Sequence, residues 1–294
     1  MLYLYKKGEL LYMYKGMVQR NHFVSRGYLR FFAKDGKITV RDKESRNTYV
    51  TNIENVCVKK NIYNCIENNE ELSWESFYTN IDNIIPKVIG KTISNCKLLG
   101  INKPLQDKKL KEDLALIIVI QMLRTPERIF SQTETYDKIL NDFYKELKES
   151  ESIDKEKKLE FLEKLFSREY YKGFLLRDIN MPDRLVKYVT TLLNKTWIIY
   201  RNNLQYKFYT SDNPVVLYNF LDKSVGLENG IGRTDTIIIY PISPEFLIEL
   251  VPTQYLFGEL FKKYNDKCIL VDDNNFVKKM NELQYQNAKR QIFG

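Results

Sequence analysis

One histidine, His22, occurs among the 294 residues, and that scarcity excludes more than any motif in the chain establishes. A lone imidazole rules out two-histidine metal sites and paired-histidine catalysis, and leaves a Ser-His-Asp arrangement only with His22 as its base. The cysteines Cys57, Cys65, Cys96 and Cys268 are scattered without a Cys-x-x-Cys pair. With one histidine they cannot complete a zinc site at a usual spacing, so they read as reduced thiols, mostly core filler. The longest apolar run, Leu114 to Ile120, falls far short of the roughly 20 residues that span a bilayer. Met1-Leu2-Tyr3-Leu4-Tyr5-Lys6-Lys7 lacks the basic-then-apolar order of a signal peptide. The expectation is a cytoplasmic protein with no membrane segment. A P-loop, a Gly-x-Gly-x-x-Gly after a strand and a Gly-x-Ser-x-Gly elbow are all missing. The Arg-x4–6-His signature of HEPN ribonucleases also fails, because the positions it needs before His22 hold Lys15, Gly16 and Met17.

What is present is an ordinary globular composition, with 44% hydrophobic and 29% charged residues. Tyrosine (21) and phenylalanine (16) are plentiful, which suits half-buried rings with bonded or wet hydroxyls. Forty-six Lys and Arg against 38 Asp and Glu leave a net charge of +8. That excess favours nucleic acid, nucleotides or other phosphorylated partners, or else is a mildly basic solvated surface.

The hydrophobic periodicity changes twice along the chain. Residues 1–18 form a Tyr-rich strand extension, with strands expected at Leu2–Lys6 and Leu10–Tyr14. Lys37–Asp42 and Asn47–Ile53 alternate as a hairpin, and Phe23, Tyr28, Leu29 and Phe32 line one side of a short helix. From about 69 to 195 the spacing is helical. Trp74, Phe77, Tyr78, Ile81, Ile84, Ile85 and Val88 make one apolar face, and Leu110–Leu123 is apolar nearly all round, as a central buried helix would be. Pro126 restarts the helix with Thr125 as its N-cap. Charged amphipathic helices are expected at Glu127–Lys148 and Lys155–Tyr171, around a linker at Glu149–Ser152. Strands return at Thr196–Arg201, Tyr206–Thr210, Val215–Asn219, Thr236–Tyr240 and Phe246–Val251, and Gly226, Gly230 and Gly232 mark a loop. Helices near Gln254–Tyr264 and Asn274–Gln291 close the sequence. The reading is a single α+β domain over 19–294, its N- and C-terminal strands sharing a mixed or antiparallel sheet packed on the helical middle.

Five polar features could carry chemistry. His22, with Arg20, Arg26 and Arg30 close in sequence, is either a phosphate-directed acid or base or a bonded structural residue. Thr210-Ser211-Asp212-Asn213-Pro214 is either a tight turn or a strand end presenting Asp212 as general base or Mg²⁺ ligand. Gln121 and Arg124 share one side of the buried helix, so Arg124 is an ion-pair strut or an anion receptor. Asn287 follows Phe276, Met280 and Leu283 on an apolar stripe, anchoring a buried network or lining a pocket. Glu71, Glu75 and Asp82 form an acidic row beside Trp74, read as solvated, from which one carboxylate could enter a site.

The order of these pieces resembles the family called domain of unknown function 4238. Its N-terminal Gln-His-Tyr-x-Pro-x-x-Tyr-Leu-x-x-Phe segment is matched by Asn21 to Phe32, with Asn21 in place of Gln and Ser25 in place of Pro. Its Gln-x-x-Arg-Thr is matched by Gln121 to Thr125, and its Thr-Ser-Asp-Asn-Pro-Val by Thr210 to Val215. Pro241-Ile242-Ser243-Pro244 and Asn287 complete the match, over roughly residues 19 to 293. The resemblance supplies positions rather than a reaction, and implies that these polar residues share one pocket. The resulting expectation is an enzyme acting on a phosphate-bearing substrate, nucleic acid or nucleotide, of nuclease or hydrolase type and suited to a toxin or phage-defence role. His22, Asp212 and Arg124 are its catalytic candidates, and Gln121, Arg26, Ser211, Asn213, Asn287 and Glu75 its binding candidates. The alternative is a non-catalytic nucleotide- or partner-binding sensor module.

Overall fold

The computed structural model describes residues 14–67, 70–98, 103–130, 133–149, 154–165 and 168–294. It opens with short strands: β1 (Tyr14–Lys15), β2 (Arg20–His22), the one-turn helix α1 (Arg26–Leu29), β3 (Lys37–Asp42), β4 (Thr48–Asn52), β5 (Val58–Lys60), β6 (Asn64–Glu67) and β7 (Glu70–Ser73). The helical middle follows as α2 (Glu75–Lys97), α3 (Lys108–Leu123), α4 (Pro126–Phe130), α5 (Thr133–Glu149), α6 (Lys155–Leu165), α7 (Arg168–Ile179) and α8 (Pro182–Leu193). Strands β8 (Thr196–Asn202), β9 (Thr210–Ser211), β10 (Val216–Asn219), β11 (Thr236–Ser243) and β12 (Phe246–Val251) come next. Then come α9 (Tyr255–Lys262), β13 (Lys267–Val271), α10 (Asn274–Asn287) and β14 (Gln291–Phe293).

Two sheets organise these pieces. The larger runs β10-β11-β12-β8-β13, antiparallel except for β13, which lies parallel to β8. Both its faces are covered. Ile238, Tyr240, Ile248 and Leu250 enter the main core with α3 and α8, while Ile237, Ile239 and Leu247 pack with Val277, Met280 and Leu283 of α10. Burial on two sides explains why β11 and β12 read as continuous apolar runs rather than alternating ones. The smaller sheet runs β4-β3-β14-β9, all antiparallel, so strands from opposite ends of the sequence share it as expected.

Local chemistry sets the element ends. The Asp107 carboxylate accepts from the Leu110 amide at 3.2 Å to start α3, and Asp273 accepts from Asn275 at 2.8 Å to start α10. Ser25 Oγ accepts from Gly27 N at 3.1 Å, which fixes the turn into α1. A Cβ on Gly27 would sit 3.1 Å from Pro86 and 3.2 Å from the Asp82 carbonyl, which is how closely α1 rides on α2.

Several expected elements differ in the structure. The middle opens with the β6–β7 hairpin, and helix begins only at Glu75. Of the expected strand Tyr206–Thr210 only the end pairs, as β9, because Asn202 and Asn281 take up the Tyr206 carbonyl and Tyr209 amide. The last helix stops at Asn287 rather than Gln291, and residues 291–293 become a strand because β3 and β9 both offer ladder partners. β13 was not expected, its charged flanks masking a short apolar run. The strand Leu2–Lys6, all of Leu10–Tyr14 but its last residue, and most of the Glu149–Ser152 linker lie outside the described residues. Among the described residues no helix is long and apolar enough to cross a membrane.

Phe293 is fully buried on β14, the strand that joins the two ends of the sequence. Phe293→Ala should cost about 3–5 kcal/mol in urea unfolding. Leu270→Ala, at a side chain 58% exposed, should stay within about 0.5 kcal/mol of wild type.

Candidate functional site

The end of α3 is the point on which the expected residues gather. Arg124, only 1% exposed, donates to Asp82 Oδ1 at 2.5 Å and Oδ2 at 3.3 Å, to the His22 carbonyl at 2.5 Å, and from Nε to the Tyr63 hydroxyl at 3.2 Å. Its guanidinium also lies over the Tyr78 ring, 4.9 Å from the centroid. Of the two roles open to Arg124, the structure shows the strut. Asp82 correspondingly leaves the solvated acidic row: α2 turns it inward, and Glu71 stays exposed on β7. Gln121, one turn earlier, donates from Nε2 to the Phe23 carbonyl at 3.0 Å, so α3 grips β2 and its exit at two successive carbonyls.

His22 is half-buried, and burial lowers its pKa below the ordinary imidazole value, with Arg26 and Arg124 adding to the effect. The Glu54 backbone hydrogen-bonds the ring, but Nε2 is buried with no partner. Asn21 Nδ2 donates to Glu75 Oε2 at 2.7 Å, leaving Asn21 Oδ1 unpartnered, and Gln121 Oε1 is also unpartnered. The amide orientations follow from the acceptors their nitrogens meet. Burial raises the Glu75 carboxyl above the usual carboxylate value, and the Asp82 charge adds to this against Asn21, Arg124 and Arg26. Arg26, half exposed, pairs with Glu54 at 3.3 Å at the rim. This side of the cluster is therefore incompletely bonded and rich in acceptors.

The Thr210–Pro214 segment forms the other side and is densely bonded, although Gln284 Oε1 is buried there without a partner. Asp212 Oδ1 accepts from Lys289 N at 2.9 Å, and Oδ2 from Arg290 N at 2.8 Å and Gln291 N at 3.0 Å. Burial raises the Asp212 carboxyl above its usual value, while these three amides pull the other way. Ser211 Oγ accepts from Asn213 N at 3.0 Å and from Gln284 Nε2 at 2.5 Å. Asn287 Nδ2 reaches the carbonyls of Asn213 (2.6 Å) and Val215 (3.0 Å), so it anchors a network rather than lining an opening. The tight-turn reading of this motif is the one the geometry shows. Asp212, its oxygens taken up by three amides, is poorly placed to hold Mg²⁺. Among the described residues no three His, Cys, Asp or Glu side chains group so as to hold a metal ion.

The two sides meet across the helix end. Glu127, three residues beyond Arg124, accepts from Asn213 Nδ2 at 2.8 Å and pairs with Lys289. The Tyr28 hydroxyl binds Thr210 Oγ1 and the Pro241 carbonyl, both at 2.6 Å. Cys57, whose carbonyl accepts from Phe23 N, feels the Asp212 charge, and its thiol is pushed up, first by burial and then by that carboxylate. Gln121 and Arg124 thus bond the His22–Phe23 backbone in one group, and Ser211, Asp212, Asn213 and Asn287 form a second, the two joined through the short stretch of chain from Arg124 to Glu127. Glu127 and Tyr63 were not named as site residues from sequence, and Asp82 only as a member of the acidic row. Glu127 alone had a usable signal, as an acid in the first turn after the Pro126 restart.

The chain thus has an α+β fold with an Arg124–Asp82 clamp and a three-amide carboxylate nest. Residues 20–294 match the family described as protein of unknown function (DUF4238), and the chain belongs to it. No curated protein and no solved structure matches the chain.

Two substitutions separate struts from reacting groups. Arg124→Ala removes a buried guanidinium and leaves the partly exposed Asp82 and the His22 carbonyl without their donor, and should cost about 3 kcal/mol in urea unfolding. Asp212→Asn replaces one amide-accepting oxygen by a donor and should cost about 2 kcal/mol, with faster hydrogen exchange at Lys289–Gln291.

Proposed function

We propose that the protein is an enzyme acting on a phosphate-bearing substrate, nucleic acid or nucleotide, with His22 as its general base. The observation that supports this most directly is the unpartnered, buried Nε2 of the half-buried His22. An orphaned buried nitrogen is costly in a merely structural residue and useful in a base. Because burial and two arginines lower the His22 pKa, the imidazole is neutral and able to accept a proton at pH 7. The acceptor-rich neighbourhood, with Asn21 Oδ1 and Gln121 Oε1 also free, suits a water or hydroxyl group more than a second anion.

Glu75 is the partner acid in this reading. His22 and Glu75 share the charged neighbours Arg26, Arg124 and Asp82, and burial favours the neutral form of each, the proton-accepting form of His22 and the proton-donating form of Glu75. His22 takes the proton of the attacking water or hydroxyl as its oxygen bonds to phosphorus. Glu75 gives a proton to the oxygen that leaves. Arg26, with Arg20 on β2 and Lys59 and Lys60 on the paired β5, supplies a basic rim for the phosphate. Arg124, Gln121, Asp212, Ser211, Asn213 and Asn287 act through position, holding the His22 strand against the core. A nuclease or hydrolase of this kind would suit a toxin or phage-defence protein.

The test is turnover of single- and double-stranded RNA and DNA oligonucleotides and of nucleoside triphosphates by wild type, His22→Gln and Glu75→Gln. Both variants should keep the wild-type thermal melt and lose about 10²- to 10⁴-fold in kcat. The acid limb of the wild-type kcat/KM profile should fall below pH 6.5, since the lowered His22 pKa keeps the base form to lower pH. Turnover undiminished in His22→Gln overturns the assignment. Ligand binding without turnover in wild type would establish the sensor module instead.

A further inference from the structure

On the side of the small sheet where the β3–β4 hairpin meets α10, a cavity of about 710 Å³ opens that none of the residues discussed above for chemistry lines. Its walls combine cations and phenol rings: Arg41, Lys43, Arg46 and Lys278 with Tyr209 and Tyr285. The Arg41 guanidinium lies over the Tyr209 ring at 4.6 Å and donates to its hydroxyl at 3.0 Å. The Lys43 ammonium lies over the Tyr285 ring at 4.6 Å and donates to the Tyr285 (2.9 Å) and Ala288 (2.6 Å) carbonyls, which leaves Arg41, Arg46 and Lys278 as the cations that face a phosphate. Tyr285 is 52% exposed, and Tyr206, 38% exposed, stands 6.1 Å from Tyr209 at a tilt of 55°. Two carboxylates reach the same walls, but Asp42 is occupied by the amides of Glu44 and Ser45 and by Arg290, which leaves Glu282 as the opposing charge.

We propose that this groove binds single-stranded nucleic acid, bases against the tyrosine rings and phosphates against the cations. Exposed rings interleaved with lysine and arginine are the combination that sequence-tolerant strand binding requires, since every base has a face to stack and every nucleotide a charge to meet. A lipid or protein partner would be met by apolar area, and here the apolar surface is phenolic and edged by cations. Duplex is excluded by the same geometry, because its bases are already stacked and cannot reach Tyr285 or Tyr206. The volume lies in the range of small-molecule sites, enough for one or two nucleotide units at a time. The site stands apart from His22 and does not depend on the catalytic reading. Arg46 sits at the hairpin turn, whereas Glu54, which contacts the His22 ring, follows the far end of β4.

Fluorescence anisotropy with labelled dT12, rU12 and a 12-base-pair DNA duplex tests this, using the full chain carrying His22→Gln so that no probe is consumed. Both single strands should bind in the micromolar range, weaken steeply as salt is raised, and outcompete the duplex at least tenfold. Arg46→Glu/Lys278→Glu should weaken binding at least tenfold, whereas Lys145→Glu/Lys187→Glu, the same charge change on exposed helices elsewhere, should leave it within twofold. Tyr285→Ala should lose severalfold and Tyr285→Phe should restore it, as stacking demands. Equal loss in the two charge-reversal pairs, equal affinity for duplex, or no binding of either strand overturns the proposal. If the strands bind and His22→Gln does not reduce turnover in the otherwise wild-type chain, the groove survives and the catalytic assignment falls.

Discussion

The contact between Arg124 and Asp82 is the constraint on which the polar interior rests. A guanidinium with 1% exposure loses nearly all its water, and only near-complete bonding makes that tolerable. The structure supplies it from three directions: α2 gives a carboxylate, β2 a carbonyl and the loop before β6 a tyrosine hydroxyl. One side chain therefore ties together a helix, a strand and a loop, where the Tyr63 and Tyr78 rings also pack 4.3 Å apart. Replacing it by an apolar residue of similar size would remove a charge and also the register of β2, on which the His22 ring depends.

Asp212 does a comparable job without a cation. Its carboxylate gathers three consecutive backbone amides just past the end of α10, so the chain leaves the helix in a fixed direction and reaches β14 in register. The Asn287 and Gln284 amides hold the same turn from the helix side. Glu127 then ties this arrangement to the α3–α4 junction. Both anchors use the long-range reach of polar side chains where apolar packing would specify the position less sharply, while the His22 ring and the Asn21, Gln121 and Gln284 amides each keep one buried atom without a partner.

Much of the fold was legible because its periodicities are strong. The apolar run of α3, the face of α2 from Trp74 to Val88 and the β3–β4 alternation each admit one solution. β13 and β14 were not legible, since a five-residue and a three-residue strand acquire their identity from partners far away in sequence. The polar residues were legible as types, and the structure bonds them in two groups: Gln121 and Arg124 on the His22–Phe23 backbone, and Asp212, Asn213 and Asn287 around the turn. Their division of labour was hidden. Nothing local to Asp82 marks it as the counter-ion of Arg124 rather than a solvated acid, and nothing in Thr-Ser-Asp-Asn-Pro announces the three amides of residues 289–291. Asp82 is the clearest case, because its burial is decided by a helix that begins 26 positions later.

The pairing of Val40 with Phe293 has a kinetic consequence. A contact between residues about 250 positions apart forms only after a large loop has closed, and topologies rich in such contacts fold slowly. The helical middle can collapse early on its own local contacts, while β3 waits with one hydrogen-bonding edge unsatisfied. During that interval the hairpin is an open template for another chain, and the last three-residue strand is what closes it. Slow maturation and a tendency of freshly made protein to self-associate are thus written into the strand order of the small sheet.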